Sequence, residues 1–515
     1  GGATKVILTS RSPEDWLAPE RRFLLPLRGL EGEERWEYCT AMLRDLGRRI
    51  DRSDKDLVKL MELLGGHPLA MRAILPRLEK MTAGQVVKAL QSNLAELELA
   101  ESEEQRRLYA TLRFVEQSLP EDLRPLLVPL AMHEGFVDAD YLEAMAKSVD
   151  ARWTRARIDG LMQTLVVAGL LTDRGQAIYE MHPVLTGFLR STCLKAARGE
   201  TRDAWARGFV DVMGSVADAV APRELHEQRA PFHVHGASFH YALAEAERLG
   251  MNAHLAAVTQ ALAAYAQNTR SFAEAARLFE RLAAHHAAVG GKEGEAAACH
   301  QLGMIAQEQR DFSAAEQWYR KSLAIEEKQG NEHGAAITYH QLGRIAEEQR
   351  DFAAAEQWYR KSLAISEKQG NEHGAASTYH QLGRIAEEQR DFAAAEQWYR
   401  KSLAISEKQG NEHGAASTYH QLGRIAEEQR DFAAAEQWYR KSLAISEKLG
   451  IEHFAAITYH QLGRIAEEQR DFAAAEQWYR KSLAISEKLG IEHFAAITYH
   501  QLGRIAEEQR DFAAA

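Results

Sequence analysis

Cysteine is scarce in this chain. Only three occur among 515 residues, Cys39, Cys193 and Cys299, and they lie in separate segments. Scattered cysteines cannot build the dense disulfide framework of small secreted domains, and no Cys-x-x-Cys pair offers a zinc site. The cysteine content therefore predicts a protein of the reducing cytoplasm.

Long hydrophobic runs are absent as well. No apolar stretch reaches about 18 residues, so the sequence predicts no membrane span, and its start lacks the pattern of a secretory signal. Acidic residues outnumber basic ones, 74 to 63, for a formal net charge of −11. This balance argues against a chain built to coat nucleic acid.

A phosphate-binding loop is the third absence. The chain contains no Gly-x-x-x-x-Gly-Lys-Ser/Thr and no apolar strand that ends in paired acids suited to Mg²⁺. Such a loop supplies backbone N–H groups and a lysine to the phosphates of a bound nucleotide. Without it, this chain alone is not expected to hydrolyse ATP or to bind it tightly.

What the chain does contain is a 40-residue repeat. One copy occupies 371–410, and it recurs at 331–370, 411–450 and 451–490. A variant precedes it at 291–330, a weaker version stands at 251–290, and a truncated copy begins at Ile491. A fixed period in this range predicts a solenoid of stacked units.

Each copy has the pattern of a helix–turn–helix. Tyr379, Leu382 and Ile385 recur at helical spacing, and a second amphipathic run follows the turn. Asp391 is a predicted N-cap of the second helix and Gly410 a predicted C-cap. Neither helix can bury its apolar face alone, so stacked copies should share one core.

The copies resemble the tetratricopeptide repeat (TPR), and the resemblance covers 251–515. The family's Leu-Gly pair matches Leu382 and Gly383, and its turn aromatic matches Phe392. Its small residue and later aromatic match Ala395 and Tyr399, whereas Ala386 and Ser402 depart from the pattern. The period is 40 rather than 34, as in the TPR arrays of kinesin light chains.

The N-terminal part resembles the second half of an NB-ARC-type ATPase of the STAND class. A β-branched strand ends at Arg11, residues 27–31 resemble the family's Leu-x-Gly-Leu segment, and 66–70 resemble its Gly-Leu-Pro-Leu-Ala motif with His67 in place of leucine. The resemblance implies that Arg11 reads the terminal phosphate of the nucleotide and that Pro68 packs near the adenine.

Residues 105–195 have the element order of a winged helix, with a strand–turn–strand pattern at 170–180. This segment closes on Met181, His182 and Pro183, which resemble the family's Met-His-Asp motif with proline in place of aspartate. The resemblance implies that His182 contacts the β-phosphate of ADP and holds a closed state.

We therefore predict a mainly α-helical chain with a remnant of an α/β nucleotide-binding domain. The predicted segments are 1–28, the edge of that domain; 29–104, a helical domain; 105–195, a winged helix; 196–250, a helical connector with mixed helix and loop over 200–250; and 251–515, the TPR solenoid. The pattern is that of a piece of a longer protein, whose full chain would hold ADP or ATP with Mg²⁺ as a slow ATPase.

The connector carries His226, His233, His235 and His240. Two histidines one residue apart can face one metal ion on a strand. No cysteine or tightly spaced acid accompanies them, so solvated loop histidines are the favoured interpretation.

The repeats carry no catalytic constellation, but their first helices present a recurring polar set. We predict that this set lines the concave groove of the array and binds a protein or peptide. Its members are His340, Arg344, Glu347, His380, Arg384, Glu387, His420, Arg424, His460 and Arg464. A solvated face with weak helical ion pairs is the alternative. Because free histidine titrates near pH 6.5, binding is expected to respond to pH between roughly 6 and 7.5.

The predicted function is a signal-transducing nucleotide switch. A ligand on the array would favour opening of the helical and winged-helix arms, nucleotide exchange and self-assembly. Two alternatives are a TPR scaffold without a nucleotide role and a winged-helix transcription regulator. The second is weakened because Arg152, Arg155 and Arg157 share their domain with several acids.

Overall fold

The computed structural model describes residues 29–45, 47, 50–97 and 102–509. Its contacts divide the chain into two compact units, 1–262 and 263–515. Both are predominantly helical, in agreement with the fold class predicted from sequence. The predicted strand that ends at Arg11 lies outside the described residues.

Eleven helices fall in the described part of the first unit before residue 250. They are α1 Gly32–Asp45, α2 Lys55–Leu63, α3 Pro68–Ile74, α4 Ala83–Glu96, α5 Glu103–Ser118, α6 Leu127–Leu130, α7 Ala139–Val149, α8 Arg155–Val167, α9 Pro183–Leu189, α10 Gly199–Val220 and α11 Leu225–Leu249. Short 3₁₀ turns at Leu75–Glu79 and Arg124–Leu126 and a π turn at Arg190–Leu194 complete it.

A small antiparallel sheet interrupts these helices. Its strands are β1 Phe136–Asp138, β2 Leu171–Asp173 and β3 Ile178–Met181, in the spatial order β1-β3-β2. Strands β2 and β3 pair with Leu171 opposite Met181, which confirms the hairpin predicted at 170–180. Gly175, Gln176 and Ala177 turn the chain between these strands with positive φ.

The connector differs from its prediction. Residues 200–250 are not mixed helix and loop but lie almost entirely in the two long helices α10 and α11. The histidine-rich stretch is helical because Phe232, His235 and Phe239 recur three and four residues apart and bury one face of α11. The helical spacing is visible only when His235 is counted as a core residue, so a pattern of apolar residues alone did not show it.

The repeats form one helical pair after another. Their helices are α12 Asn252–Asn268, α13 Phe272–Val289, α14 Lys292–Glu308, α15 Phe312–Gln329, α16 Glu332–Glu348, α17 Phe352–Lys368, α18 Glu372–Glu388, α19 Phe392–Lys408, α20 Glu412–Glu428, α21 Phe432–Lys448, α22 Glu452–Glu468, α23 Phe472–Lys488 and α24 Glu492–Glu508. Each repeat from 291 to 490 supplies two of them, which confirms the helix–turn–helix prediction.

Adjacent repeats share their cores. One cluster joins Tyr359 and Leu363 of one repeat to Leu382 and Ile385 of the next. Trp398 packs against this cluster and also against the one that follows, as expected for an inter-repeat residue. No single repeat therefore contains a complete core, and the free energy of unfolding is expected to increase with the number of stacked repeats.

Within a repeat, the two helices meet where a glycine faces a tyrosine. A β-carbon built on Gly383 would lie 2.6 Å from Cε1 of Tyr399, so only glycine fits there. Tyr399 and Ala395 are both fully buried at this contact. The predicted role of Gly383 and Ala395 in close helix approach is confirmed.

The turn inside each repeat ends one helix and caps the next within two residues. In the fourth copy, Arg390 N–H donates to Glu387 O at 2.9 Å and Asp391 N–H to Ala386 O at 2.8 Å. These two bonds form a Schellman motif. Asp391 also accepts from Ala394 N at 3.0 Å, which confirms the predicted N-cap. Arg390 occupies the left-handed position with φ 59°, where glycine is usual.

Replacing that arginine should stabilise the array. Arg390→Gly removes the steric cost of a left-handed side chain and should raise the free energy of unfolding by about 0.5–1 kcal/mol. Gly410→Ala is the matched control, because Gly410 ends α19 with φ 65° and its replacement should destabilise the protein. Urea denaturation followed by circular dichroism measures both. A destabilised Arg390→Gly variant would contradict the account.

The groove on the first helices of the repeats

A cavity of about 320 Å³ opens on the first helices of two neighbouring repeats, α16 and α18. It is lined by His340, Arg344, Glu347, Glu348, Ser377, Gln381 and Arg384. Three of these residues, His340, Arg344 and Glu347, were predicted from one repeat, and Arg384 from the next. We call the recurring His, Arg and Glu positions of α16, α18, α20 and α22 the His–Arg face.

The histidines of this face are not solvated. His340 and His380 are half-buried, while His420 and His460 are only 8% exposed. Each ring stands edge-on to the tyrosine of its own second helix; the His380 and Tyr399 ring centres are 5.3 Å apart. Burial, and secondarily the arginine one turn on, lowers the pKa of all four histidines to about 4.

The expected pH response of ligand binding between 6 and 7.5 is therefore wrong for these histidines. A histidine whose pKa is about 4 is already neutral throughout that range. The expectation failed because it assumed an exposed ring with an ordinary pKa, whereas the ring packs on a buried tyrosine that the linear spacing did not reveal.

The glutamates of the face join three helices. Glu387 Oε2 accepts from the Tyr399 hydroxyl at 3.0 Å, within the same repeat. Its other oxygen, Oε1, lies 2.8 Å from Arg424 Nη2 of the following repeat. The same arrangement occurs at Glu347 with Arg384, at Glu427 with Arg464 and at Glu467 with Arg504. We call this series the Arg–Glu ladder.

Most arginines of the face are consequently engaged within the array. Arg384, Arg424 and Arg464 each have a glutamate of the preceding repeat within 2.8 Å. Each also donates Nη1 to the glutamine three residues earlier, as in the 3.2 Å bond from Arg384 to Gln381. A ligand would have to compete with these bonds, which single-repeat reasoning could not anticipate.

Differences between copies decide where the face is open. Ser377 lines the cavity, and its hydroxyl lies 3.4 Å from His340 Nε2. Gly374 stands nearby without a side chain, but the equivalent residue two copies later is Phe454, whose ring lies 5.2 Å from that of His420. Phe494 covers His460 in the same way. The C-terminal copies thus fill with an aromatic ring the position that the earlier copies leave open.

Sequence reasoning missed the residues that set this boundary. Ser377, Gln381 and Phe454 were passed over because the repeat was considered through what its copies share. The available signal was the opposite one: position 374 changes from glycine to phenylalanine, and position 377 from serine to isoleucine, between the middle and the last copies.

The candidate nucleotide contacts lie in the first unit, except that Arg11 is outside the described residues. Pro68 is the first residue of α3, and His182 is the N-cap of α9. His182 Nδ1 accepts from Val184 N at 3.3 Å, so a neutral ring would carry its proton on Nε2. Neither Pro68 nor His182 lines the cavities of 320 and 500 Å³.

Two of the sequence motifs nevertheless meet. Leu30 N–H donates to Gly66 O at 2.8 Å, which joins the 27–31 segment to the 66–70 segment. Gly66 has φ 69°, and a β-carbon there would lie 1.9 Å from Leu30 O. The approach of the two backbones explains why glycine stands immediately before His67 and Pro68.

The first unit also contains a cavity of about 500 Å³ between the sheet edge and the α10–α11 pair. His235 lines it and is 5% exposed, and burial lowers its pKa to about 4. His226, His233 and His240 lie on the exposed side of the same helix. The interpretation of all four as solvated loop histidines is thus wrong for His235, and all four are helical.

Comparison with known proteins bears first on the repeats. A sequence profile described as the tetratricopeptide repeat matches residues 300–368, 334–408, 374–448 and 454–515. These ranges include every residue of the His–Arg face. The repeats are tetratricopeptide repeats. No curated protein sequence matches the chain.

Solved structures extend the similarity beyond the TPR array. A signal transduction ATPase with numerous domains (STAND) from Pyrococcus horikoshii, with a tetratricopeptide repeat sensor, has a similar fold. It shares 15% identity at a TM-score of 0.55, and the match covers 95% of this chain but 66% of that protein, so this chain spans under two thirds of its length.

Two further matches involve shorter stretches. The TPR-like repeats of a putative kinesin light chain from Podosopora anserina share 21% identity over 37% of this chain and 94% of that one, with a TM-score of 0.33. A Rap protein complexed with competence and sporulation factor shares 13% identity over 64% of this chain and 92% of that one, with a TM-score of 0.35.

The described residues include neither a candidate metal site nor a candidate membrane span. Among them, no three histidine, cysteine, aspartate or glutamate side chains are grouped as metal ligands. Their helices also include none with the length and apolar character needed to traverse a bilayer.

The buried histidines of the TPR array should make its stability depend on pH. Their folded pKa of about 4 lies below the ordinary 6.5, so the unfolded chain binds more protons between these values. The free energy of unfolding should therefore fall as the pH drops from about 6.5 towards 4, and level off below. Between pH 7 and 5 we expect a loss of roughly 1–2 kcal/mol per histidine.

Urea denaturation at several pH values measures this loss. His380→Phe keeps a ring against Tyr399 but cannot titrate, so it should reduce the loss between pH 7 and 5 by the share of one histidine. His373→Phe is the control, because His373 is exposed on the same helix and should leave the slope unchanged. Equal slopes for the two variants would contradict the assignment.

Proposed function

We propose that the TPR array is a sensor that binds a protein or peptide partner along the His–Arg face, between His340 and Arg424. The observation that carries the proposal is the open cavity between α16 and α18, at a position that Phe454 and Phe494 fill further along. In the copy that contributes Ser377 to the cavity, the residue equivalent to Phe454 is Gly374, and Ser377 stands where the later copies have isoleucine.

The chemistry of the cavity favours a peptide over a bare polyanion. Arg344 and Arg384 bring positive charge, and Glu347 and Glu348 bring an equal number of negative charges. A polyanion would meet repulsion from the glutamates, whereas a peptide offers acidic, basic and amide groups in one molecule. Ser377 and Gln381 add neutral hydrogen-bonding groups that suit backbone amides.

The chain itself provides the variant that tests this proposal. Asn371→Ile combined with Gly374→Phe copies into the 371–410 repeat the residues found at Ile451 and Phe454. The introduced ring should cover His340 as Phe454 covers His420 and close the cavity. Peptides selected from a random library on the unaltered protein should then lose at least about tenfold in affinity.

The control is the same graft one repeat earlier. Asn331→Ile with Gly334→Phe should cover His300 and leave the His340 cavity open. Fluorescence anisotropy compares the Kd values, and the melting temperature confirms that both variants fold. If the affinity of the first variant is unchanged, the cavity is not part of the peptide-binding site.

We further propose that the first unit couples this sensor to a nucleotide switch. Support comes from the fold similarity to the STAND protein and from the order of the motifs between residues 11 and 182. The β1–β3 sheet with α7 and α8 would be a winged helix and act as a lever. Ligand binding shifts such a switch only by its difference in affinity for the closed and open states.

His182 and Pro68 fit a role in holding ADP. Val184 N–H donates to His182 Nδ1, which orients the ring at the start of α9, and an imidazole in this position can contact a phosphate oxygen. The Pro68 ring offers an apolar surface for a base. The nucleotide, with Mg²⁺ when it is ATP, would need a phosphate-binding loop from further chain, and opening would then permit self-assembly in the cytoplasm.

A test of the nucleotide role uses the protein in its full natural length. His182→Ala removes one donor to the phosphate and should lower the ADP retained after purification by roughly five- to twentyfold, as expected for a charge-assisted hydrogen bond. His226→Ala is the control, since His226 is exposed on α11. Chromatography of the released nucleotide gives the content. Equal ADP in both variants would leave the TPR array as a scaffold.

The transcription-regulator alternative is not favoured by the contacts around α8. Arg155 Nε lies 2.6 Å from Asp159 and Arg155 also pairs with Asp140, while Arg157 pairs with Asp122. Arginines already neutralised by local acids release few counterions from DNA, so they contribute little to its binding.

A further inference from the structure

The Arg–Glu ladder follows one rule from α18 to α24. The arginine of each first helix pairs with the glutamate 37 positions earlier, as Arg384 does with Glu347 at 2.7 Å. Arg424, Arg464 and Arg504 repeat the pattern at 2.8, 2.7 and 2.9 Å. Each of these glutamates also accepts from the tyrosine of its own repeat, so its position is fixed from two sides.

The rule breaks at the first arginine of the ladder. By the same spacing Arg344 should pair with residue 307, but that residue is glutamine. Gln307 occupies the glutamate's place, because its Oε1 accepts from the Tyr319 hydroxyl at 3.1 Å. An uncharged amide therefore stands where a carboxylate stands in every later copy.

Arg344 is left with one neutral partner. It donates Nη1 to Gln341 at 3.2 Å, and no carboxylate forms an ion pair with it among residues 29–97 and 102–509 where these are described. Glu348, one turn on, shares the cavity but is not within ion-pair distance. The arginine-to-glutamate order of this pair is also the less favourable one on a helix.

We infer that Arg344 is the docking point for a carboxylate of the peptide bound in the cavity. This inference rests on the proposed function. It adds that the peptide carries an acidic group at the position of Arg344 and that Arg344 binds that group. Arg344 is exposed, lines the cavity and carries a guanidinium group that can hold a carboxylate through two parallel hydrogen bonds. The later arginines already pair through Nη2 with one oxygen of a ladder glutamate.

The surroundings of Arg344 favour a carboxylate over phosphate. Glu347 and Glu348 face the same cavity, so a dianion would be repelled more strongly than a single carboxylate. The oxyanion chemistry is common to both, and the experiment below separates them.

Arginine labelling with phenylglyoxal reports directly on the free guanidinium group. Cleavage after glutamate releases fragments with one arginine each, and the copies differ in mass. The 333–347 fragment contains Ile337, the 373–387 and 413–427 fragments contain Ser377 and Ser417, and the 453–467 fragment contains Phe454. Mass spectrometry of the full chain therefore resolves Arg344 from Arg384 and Arg424, which are read together.

Arg344 should be labelled roughly two- to fivefold faster than the Arg384 and Arg424 class, the range expected for loss of one exposed ion pair. N-acetylglycine, which carries a single carboxylate, should slow its labelling more than the neutral N-acetylglycinamide does at equal ionic strength. Equal labelling of the two classes would overturn the inference. Protection by inorganic phosphate without protection by N-acetylglycine would also overturn it.

Gln307→Glu restores the missing rung and gives the sharpest test. The new carboxylate should pair with Arg344, slow its labelling to the rate of the other class and abolish protection by N-acetylglycine. Gln309→Glu is the matched control: it adds the same charge at an exposed residue two positions away and should change neither result. Unchanged labelling in Gln307→Glu would contradict the inference.

The outcome is separable from that of the proposed function. If Arg344 shows the expected labelling and protection but the Gly374→Phe graft leaves selected peptides bound, the carboxylate site stands and the peptide groove fails. If the graft abolishes binding while Arg344 behaves like Arg384, the groove stands and its acidic end lies elsewhere.

Discussion

The contact between a glycine of one helix and a tyrosine of the next underlies the whole TPR array. Gly383 admits Tyr399 because it has no side chain, and this sets how closely the two helices of a repeat approach. The seated tyrosine then supports the two functional features above it. Its ring holds His380, and its hydroxyl orients Glu387 towards the next repeat. The positions of the polar residues on the His–Arg face therefore depend on the packing of Tyr399 against Gly383.

The ladder and the buried histidines are consequences of this fit. A glutamate held by a tyrosine hydroxyl can meet an arginine of the neighbouring repeat in one geometry only, so each repeat fixes the register of the next. Because the shared cores are apolar and non-directional, they alone would tolerate small slips between repeats. The charge-assisted bonds of the Arg–Glu ladder add the direction that the cores lack.

Sequence reasoning recovered the fold well where it is periodic. The repeat, its N-cap at Asp391, its glycine C-cap at Gly410 and the hairpin at 170–180 follow from local rules of turn chemistry and spacing. The connector was predicted to be helical, but its histidines were assigned to a loop because His235 occupies a core position of α11, and spacing does not report the burial of a polar ring. The wrong pH expectation for the His–Arg face has the same cause.

The two ends of the groove also could not be predicted from the sequence of a single repeat. Whether Arg344 differs from Arg384 depends on residue 307, which lies 37 positions away and becomes a neighbour only through stacking. The effect of Phe454 on His420 is likewise a contact between repeats. Candidate residues could therefore be named from one copy, but their availability is a property of pairs of copies.

One consequence concerns how such an array changes in length. The copies at 371–410 and 411–450 differ at one position only, Gln409 against Leu449, and both lie between Arg344 and Phe454. Duplication or loss of one such copy would preserve every rung, every capped turn and both boundaries. The distance between Arg344, the proposed carboxylate site, and Phe454, the aromatic end of the groove, would change by the length of one repeat at a time. The length of the groove can therefore change by whole repeats while the residues at its two ends stay the same.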